Sequence, residues 1–238
     1  MTINDKILAH AKQEFPKECC GVINIYHGKE IYTPCRNDSD EPERDFSINP
    51  TDYSAAVDRY GDVVKIVHSH PVTNPHPSQP DLIGIENSNL PWIIVNPVTE
   101  QFTETLPTGY KAPLVGRQFV FGILDCYSII RDYYKEELGI ELLDFERKDK
   151  FWERGENLYV DNFKKAGFYE VELKNIKEHD VLIMTNGATI PSHGAVYLGD
   201  GKILHHAQPR LSSQDVFGGY WLHNLKYVLR YNFKDSAK

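Results

Sequence analysis

The stretch DVVKIVHSHPVTNPHPSQPD, residues 62–81, decides how the first half of the chain is read. Asp62–His68 is β-branched and apolar, the composition of a buried strand, and it runs into two histidines. Pro71–Pro80 is a proline-rich loop, and a short helix is predicted from about Gln79 to Glu86. Side chains two apart on a strand share a face. His68 and His70 can therefore reach one ion, and Asp81, beyond the loop, can add an oxygen. Two nitrogens and one oxygen suit zinc, and three protein ligands leave a fourth position for water. Zinc brings the pKa of that water towards neutrality. Glu18, upstream, can take the water's proton and pass it to a leaving amine, and Ser78 can hydrogen-bond a developing oxyanion. Each part also has a plainer reading. A lone His-x-His on a strand is more often incidental, Ser78-x-x-Asp81 is a helix capping box without any metal, and Glu18 alone is an ordinary surface carboxylate. His10 and His76 are not needed, and His76 reads as a solvated loop residue.

Working outward, Ile7, Leu8 and Ala11 recur at helical spacing between Asn4 and Glu14, and Pro16 stops the pattern. Cys20–Tyr26 and Glu30–Thr33 read as two strands turning at His27-Gly28. Asn49 caps a second helix that starts at Pro50 and ends before Gly61. Trp92–Val95 and Gln101–Thr105 complete the strands of this half. A linker is expected at Leu106–Leu114, which holds two prolines and a glycine.

Beyond it the pattern restarts. Asp125 caps a helix from Cys126 to Leu138, with Gly139 as its C-cap, and Phe151–Ala166 is predicted to be helical. From Asp180 the chain reads as short strands: Val181–Met184, Gly194–Leu198, Lys202–His206 and Lys226–Tyr231. Gly199-Asp200-Gly201 turns the middle pair into a hairpin. Of the four cysteines, Cys19, Cys20 and Cys35 read as core residues of the first half; there is no disulfide framework. Cys126 stands at a helix N-terminus, where negative charge is favoured, so a lowered thiol pKa is expected. A histidine can activate it and a further polar group must orient that histidine. His193 and His205, at facing ends of the hairpin, are expected side by side. His206 faces the other way. The plainer readings are a small core cysteine and hydrogen-bonded strand histidines.

At 41% hydrophobic residues the composition supports packed cores, and a net charge of −8 argues against broad nucleic-acid binding. No apolar run approaches the roughly 20 residues of a membrane span, and the N-terminus reads as a helix start rather than a signal peptide. The expectation is synthesis in the cytoplasm, with export only as part of another assembly.

Taken together, His68-x-His70, Ser78, Asp81 and an upstream glutamate resemble the JAMM (Mov34/MPN/PAD-1) metalloprotease motif, over about residues 1–105. The resemblance implies an α/β/α sandwich, Zn2+ on His68, His70 and Asp81, Ser78 as oxyanion stabiliser and Glu18 as general base. Glu14 is the competitor for that last position; Glu18 is preferred because it begins the predicted strand. Phe121-Gly122-Ile123-Leu124-Asp125-Cys126 and Ser192-His193 through Leu204-His205 resemble the NlpC/P60 cell-wall peptidases. This implies a papain-like α+β domain over 115–238, with Cys126 as nucleophile, His193 as base and His205 as third member. It departs from the family in Tyr127, where many members have serine, and in His206. The fold class expected is thus α+β in two domains, 1–105 and 115–238, joined by a linker at 106–114. That order, with Gly116-Arg117-Gln118-Phe119 and Ile129-Ile130-Arg131-Asp132-Tyr133-Tyr134, resembles the lambda-type family of phage tail assembly proteins. It implies a tail-tip peptidase acting on peptidoglycan stem peptides at the host wall, with other tail-tip proteins as partners. The alternatives are a structural tail-tip component with silent or docking sites, and a cellular deconjugating enzyme.

Overall fold

The computed structural model describes residues 1–147 and 151–233. Residues 148–150 and 234–238, the latter the end of the domain expected over 115–238, lie outside the described residues. The chain forms two compact units, Met1–Lys111 and Ala112–Lys238.

In the first unit α1 (Ile3–Glu14) starts at a reciprocal capping box between Thr2 and Asp5 and buries Ile7 and Ala11, four residues apart on one face. β1 (Cys20–Tyr26) and β2 (Lys29–Cys35) form a hairpin. Asn49 caps α2 (Pro50–Tyr60) by accepting from the N–H groups of Thr51 and Asp52. β3 (Val63–Ser69), α3 (Gln79–Ser88), β4 (Trp92–Val95) and β5 (Phe102–Thr105) follow. The sheet order is β2-β1-β3-β4-β5. Only the β3–β4 pair is parallel, which requires a crossover; α3 supplies it. β2 is longer than the expected Glu30–Thr33 because Pro34 lies on an edge strand, where a missing N–H is tolerated.

Alternation along the strands separates two cores. Ile23, Val67 and Ile93 pack with Ile7 and Ala11 of α1 on one face. Val22, Ile66 and Trp92 pack with Ala56 of α2 and Ile85 of α3 on the other. The unit is therefore a helix–sheet–helix sandwich, and its mixed elements follow from two-sided apolar strands. Residues 106–111 cluster with it: Thr108 and Tyr110 donate their N–H groups to Glu86 Oε1.

In the second unit Asp125 Oδ1 accepts from the N–H groups of Tyr127 and Ser128 and starts α4 (Cys126–Leu138); Gly139, at φ 68°, ends it. Phe151–Ala166 is not the continuous helix expected. It divides into a 3₁₀ turn, Phe151–Arg154, and the short α5 (Leu158–Asn162), because Gly155 takes φ 76° and reverses the backbone between them. Next come β6 (Phe168–Val171), β7 (Val181–Met184), β8 (His193–Tyr197), β9 (Lys202–His205), β10 (Ser213–Val216), α6 (Gly219–His223) and β11 (Leu225–Tyr231). β6, β10 and α6 were not expected; they are four or five residues long, and Ser213-Gln214-Asp215-Val216 has no apolar alternation. The order is β10-β9-β8-β7-β11-β6 with every pair antiparallel. Val181, Ile183, Val196 and Leu229 pack against Ile129, Ile130, Tyr133 and Tyr134 of α4. Leu182, Met184, Ala195, Ile203 and Val228 face the other way, with Phe217 and Trp221 packed on them. No helix among the described residues is long and apolar enough to cross a membrane.

Candidate functional sites

β3 alternates Ile66, His68 and His70 on one face with Val67 and Ser69 on the other. Ser69 Oγ accepts from the Cys19 N–H and its own N–H donates to Cys19 O, clamping β3 to the start of β1. His68 Nε2 and His70 Nε2 lie 3.1 Å apart. Asp81, in the first turn of α3, brings Oδ1 to 3.2 Å from His68 Nε2 and Oδ2 to 3.2 Å from His70 Nε2. The three side chains are buried, and their ligand atoms all lie within 4.8 Å of one another. Tetrahedral zinc with bonds of about 2.0–2.1 Å separates its ligand atoms by roughly 3.3–3.4 Å, so the donor set and its spacing fit the ion. Asn74 O lies 2.9 Å from His70 Nδ1; a carbonyl accepts only, so Nδ1 carries the proton and Nε2 offers its lone pair to the cluster. Among the described residues His68 Nδ1 is buried without a hydrogen-bond partner, and its ring stacks on Phe46 at 4.4 Å and 18°.

The electrostatics match a cation site. Burial alone would raise the Asp81 carboxyl, but hydrogen bonds from His68 and His70 overcome it and hold the group well below the usual carboxylate range. Burial lowers the His68 pKa against the pull of Asp81; at His70 the same burial is outweighed by Asp81 and Asn74 O, and the pKa rises. Glu18 is buried, two residues before Cys20, which pairs with His68. Burial pushes its carboxyl up to about 8, with His70 pulling it down and Asp81 and Asp45 adding to the rise. Glu14, the alternative base, instead lies 4.0 Å from His10 at the end of α1. Ser78 is the N-cap of α3: its hydroxyl donates to Asp81 Oδ2 at 2.7 Å, so the capping box and the ligand cluster share one carboxylate. His76 is exposed and outside the cluster. Phe46 and Asp45, on the loop before α2, were missed; nothing in their local sequence marks them.

In the second unit Cys126 opens α4 and packs against β8. Gly194 has no room for a side chain: a Cβ there would sit 2.8 Å from Ile130 Cδ1 and 3.9 Å from Tyr159 Cε1. His193 Nε2 and His205 Nδ1 lie 2.9 Å apart. They are not directly opposite, as expected, but diagonal: His205 pairs with Ala195, whose small side chain lets the two rings meet. Trp221 of α6 stacks on His193 at 5.1 Å and 26° and sets its ring edge-on to His205 at 4.6 Å. Asp215 Oδ2 lies 3.1 Å from His205 Nε2. The thiol shares a 3.0 Å hydrogen bond with Tyr159 Oη, and among the described residues no hydrogen bond joins it to His193.

The expected lowering of the thiol pKa does not occur. Burial pushes Cys126 up to about 11, and the neighbouring Asp125 charge adds to it; Tyr159, the Gly194 N–H and Arg147 oppose. Burial, then His205 and His206, bring His193 down to about 3. Both shifts favour a neutral thiol beside a neutral imidazole. Asp125 itself is matched by the buried Arg147, whose Nε donates to Oδ2 at 2.7 Å. His206 is fully buried on Phe119, as expected away from the pair, and burial takes it down to about 4. Tyr159, Trp221, Asp215 and Arg147 were all missed: Arg147 sits in a charged run that reads as solvated surface, and the others fall in short elements without a pattern.

Comparison with known proteins separates the same two halves. The model of prokaryotic homologs of the JAB domain matches residues 2–106, and that of the NlpC/P60 family matches residues 116–230. Tail tip assembly protein K of Escherichia phage N15 is 38% identical over 231 residues, covering 95% of this chain and 93% of its own. The protein of the same name from Escherichia phage lambda is 38% identical over 174 residues, covering 73% of this chain and 84% of its own. Among solved structures, an NLP/P60-family protein from Staphylococcus aureus is 14% identical with a TM-score of 0.37, covering 97% of this chain and 62% of its own, a likeness too low to carry weight. The NlpC/P60 match supports a peptidase hydrolase. An α+β chain with a JAB-like unit before an NlpC/P60 unit, and 38% identity over nearly the whole length, belongs to the tail tip assembly protein K family.

Proposed function

We propose that the protein is a phage tail-tip peptidase whose Cys126–His193–His205 site hydrolyses stem-peptide bonds of peptidoglycan, opening the host wall locally. The observation that carries this reading is the buried His193–His205 pair at 2.9 Å, with Cys126 at the head of α4 against the same strand. For attack the thiol leaves Tyr159 and turns to His193, which takes its proton; sulfur adds to the carbonyl carbon. The C–N bond then breaks as His193 returns the proton to the amine, and water, deprotonated by the same imidazole, hydrolyses the thioester. The protein is made in the host cytoplasm, joins other tail-tip proteins and acts from the virion tail.

The first unit binds Zn2+ through His68, His70 and Asp81 and hydrolyses, or docks, a peptide or isopeptide during tail assembly. Bound there, the ion supplies Lewis acidity and makes water nucleophilic near neutral pH. Glu18, whose carboxyl burial raises to about 8, acts in its ionised form, accepting the water's proton and passing it to the leaving amine. Ser78 donates to the developing oxyanion, which requires its hydroxyl to turn from Asp81.

One observation favours the second reading, a structural tail-tip component. Cys126, His193 and His205 are all buried and rest in their neutral forms. Mass spectrometry of muropeptides decides between them. New stem-peptide fragments from purified peptidoglycan with the wild type but not with Cys126→Ala establish the peptidase. No fragments from either folded protein favour the structural reading.

A further inference from the structure

His205 does not end the chain of contacts. Its Nε2 lies 3.1 Å from Asp215 Oδ2, and Asp215 is held in turn by Arg210, with Nη1 at 3.0 Å from Oδ2 and Nη2 at 3.2 Å from Oδ1. Ser213 Oγ donates to the same Oδ1 at 3.2 Å. These residues come from β10 and the loop before it, an edge segment whose polar sequence alone reads as a solvated face. We infer that Asp215 is a positioning residue for the cysteine site: it selects the tautomer of His205, and through it the tautomer of His193. This rests on the peptidase reading of that site.

The argument is one of proton counting. Only one N–H fits between His193 Nε2 and His205 Nδ1 at 2.9 Å. An ionised carboxylate accepts and never donates. Asp215 is kept ionised because Arg210 and His205 outweigh its burial and bring it to about 2. The proton of neutral His205 therefore sits on Nε2, facing Asp215. Nδ1 is then bare and accepts from His193 Nε2–H, which leaves His193 Nδ1 as the lone pair that can serve the thiol. With His205 protonated on Nδ1 instead, the order inverts: His193 Nε2 accepts, its proton moves to Nδ1, and the base is lost. The Nε2–Oδ2 contact is bent away from a well-aligned hydrogen bond, and among the described residues Nε2 has no other hydrogen-bond partner. The selection is thus made by the carboxylate's charge at close range. Trp221 packs against both rings and keeps either from turning away.

The test uses the full chain with ¹⁵N-labelled histidine, comparing wild type with Asp215→Ala and Asp215→Asn. In the wild type His205 is protonated on Nε2 and His193 on Nε2. In Asp215→Ala the His205 resonances move to the Nδ1–H form or a mixture, and kcat for stem-peptide cleavage falls about 100-fold with KM unchanged. Asp215→Asn, which keeps the shape and removes the charge, shifts the tautomer and lowers kcat as Asp215→Ala does. An Ala variant that is folded and retains the Nε2–H tautomer overturns the inference, whatever its turnover. So does wild-type turnover in an active background. Should Asp215→Ala not fold, loss of the Nε2–H preference in Asp215→Asn sustains the inference and its full retention overturns it. Should the wild type cleave no muropeptide, the peptidase reading fails while the tautomers still decide the role of Asp215.

Discussion

In the first unit the nitrogen and oxygen atoms of His68, His70 and Asp81 crowd to 3.1–3.2 Å, one histidine nitrogen is left without a partner, and a second carboxyl, Glu18, is lifted by burial. In the second unit His193 and His205 share one hydrogen bond, His205 lies close to the Asp215 carboxylate, and that carboxylate meets the Arg210 guanidinium. Asp125, beside Cys126, likewise has Arg147. The first site gathers lone pairs that a cation would complete; in the second the carboxylates are matched by guanidinium groups, while among the described residues His205 Nε2 and both ring nitrogens of His206 are buried without a hydrogen-bond partner. Buried polar groups are costly unless matched, so the two sites should respond oppositely to what is added and what is removed.

The largest effect breaks the balance of the second unit. Arg147→Ala leaves Asp125 buried and unpaired and should cost about 3–5 kcal/mol, read as a loss of hydrogen-exchange protection in residues 112–233 with the first unit unchanged. Zinc should do the reverse for the first unit. At a hundredfold excess over Kd it adds about 2.7 kcal/mol to that unit alone, and His68→Ala should abolish both the shift in unfolding and the bound metal. Acid sharpens the contrast further. His206 and His193 have folded pKa values of about 4 and about 3, below the ordinary 6.5, so the unfolded chain binds more protons below pH 6.5. Their stability contribution is fully present above pH 6.5 and is lost as pH falls towards 4, by about 3 kcal/mol for each at pH 4. Urea unfolding against pH checks this, and His206→Leu should flatten the acid limb. The smallest effect is at Ser78. Removing the cap by Ser78→Ala should cost about 1 kcal/mol in the metal-free protein, and a loss confined to activity would mean that Asp81 alone holds the start of α3.

The candidate site residues were mostly legible before the structure, because each sits at a place with a local rule. His68 and His70 are two apart on a strand, Asp81 is third in a capping box, and Cys126 follows an N-cap aspartate. What surrounds them was not. Asp215, Tyr159 and Trp221 arrive from elements of four or five residues, too short for a period to show. Arg147 is buried only because Asp125 lies across the fold from it.

The sequence by itself determined two α+β units, their order, and the identities of the clustered histidines and aspartate and of the cysteine at the head of α4, since periodicity, caps and two-residue spacing are local properties of the chain. Only the tertiary structure decided the protonation of the site. Whether Cys126 is a thiolate depends on its burial and on Tyr159, 33 residues away. Which nitrogen of His193 is free depends on His205 and Asp215. Desolvation and charge act through space, and neither is written in the neighbours along the chain.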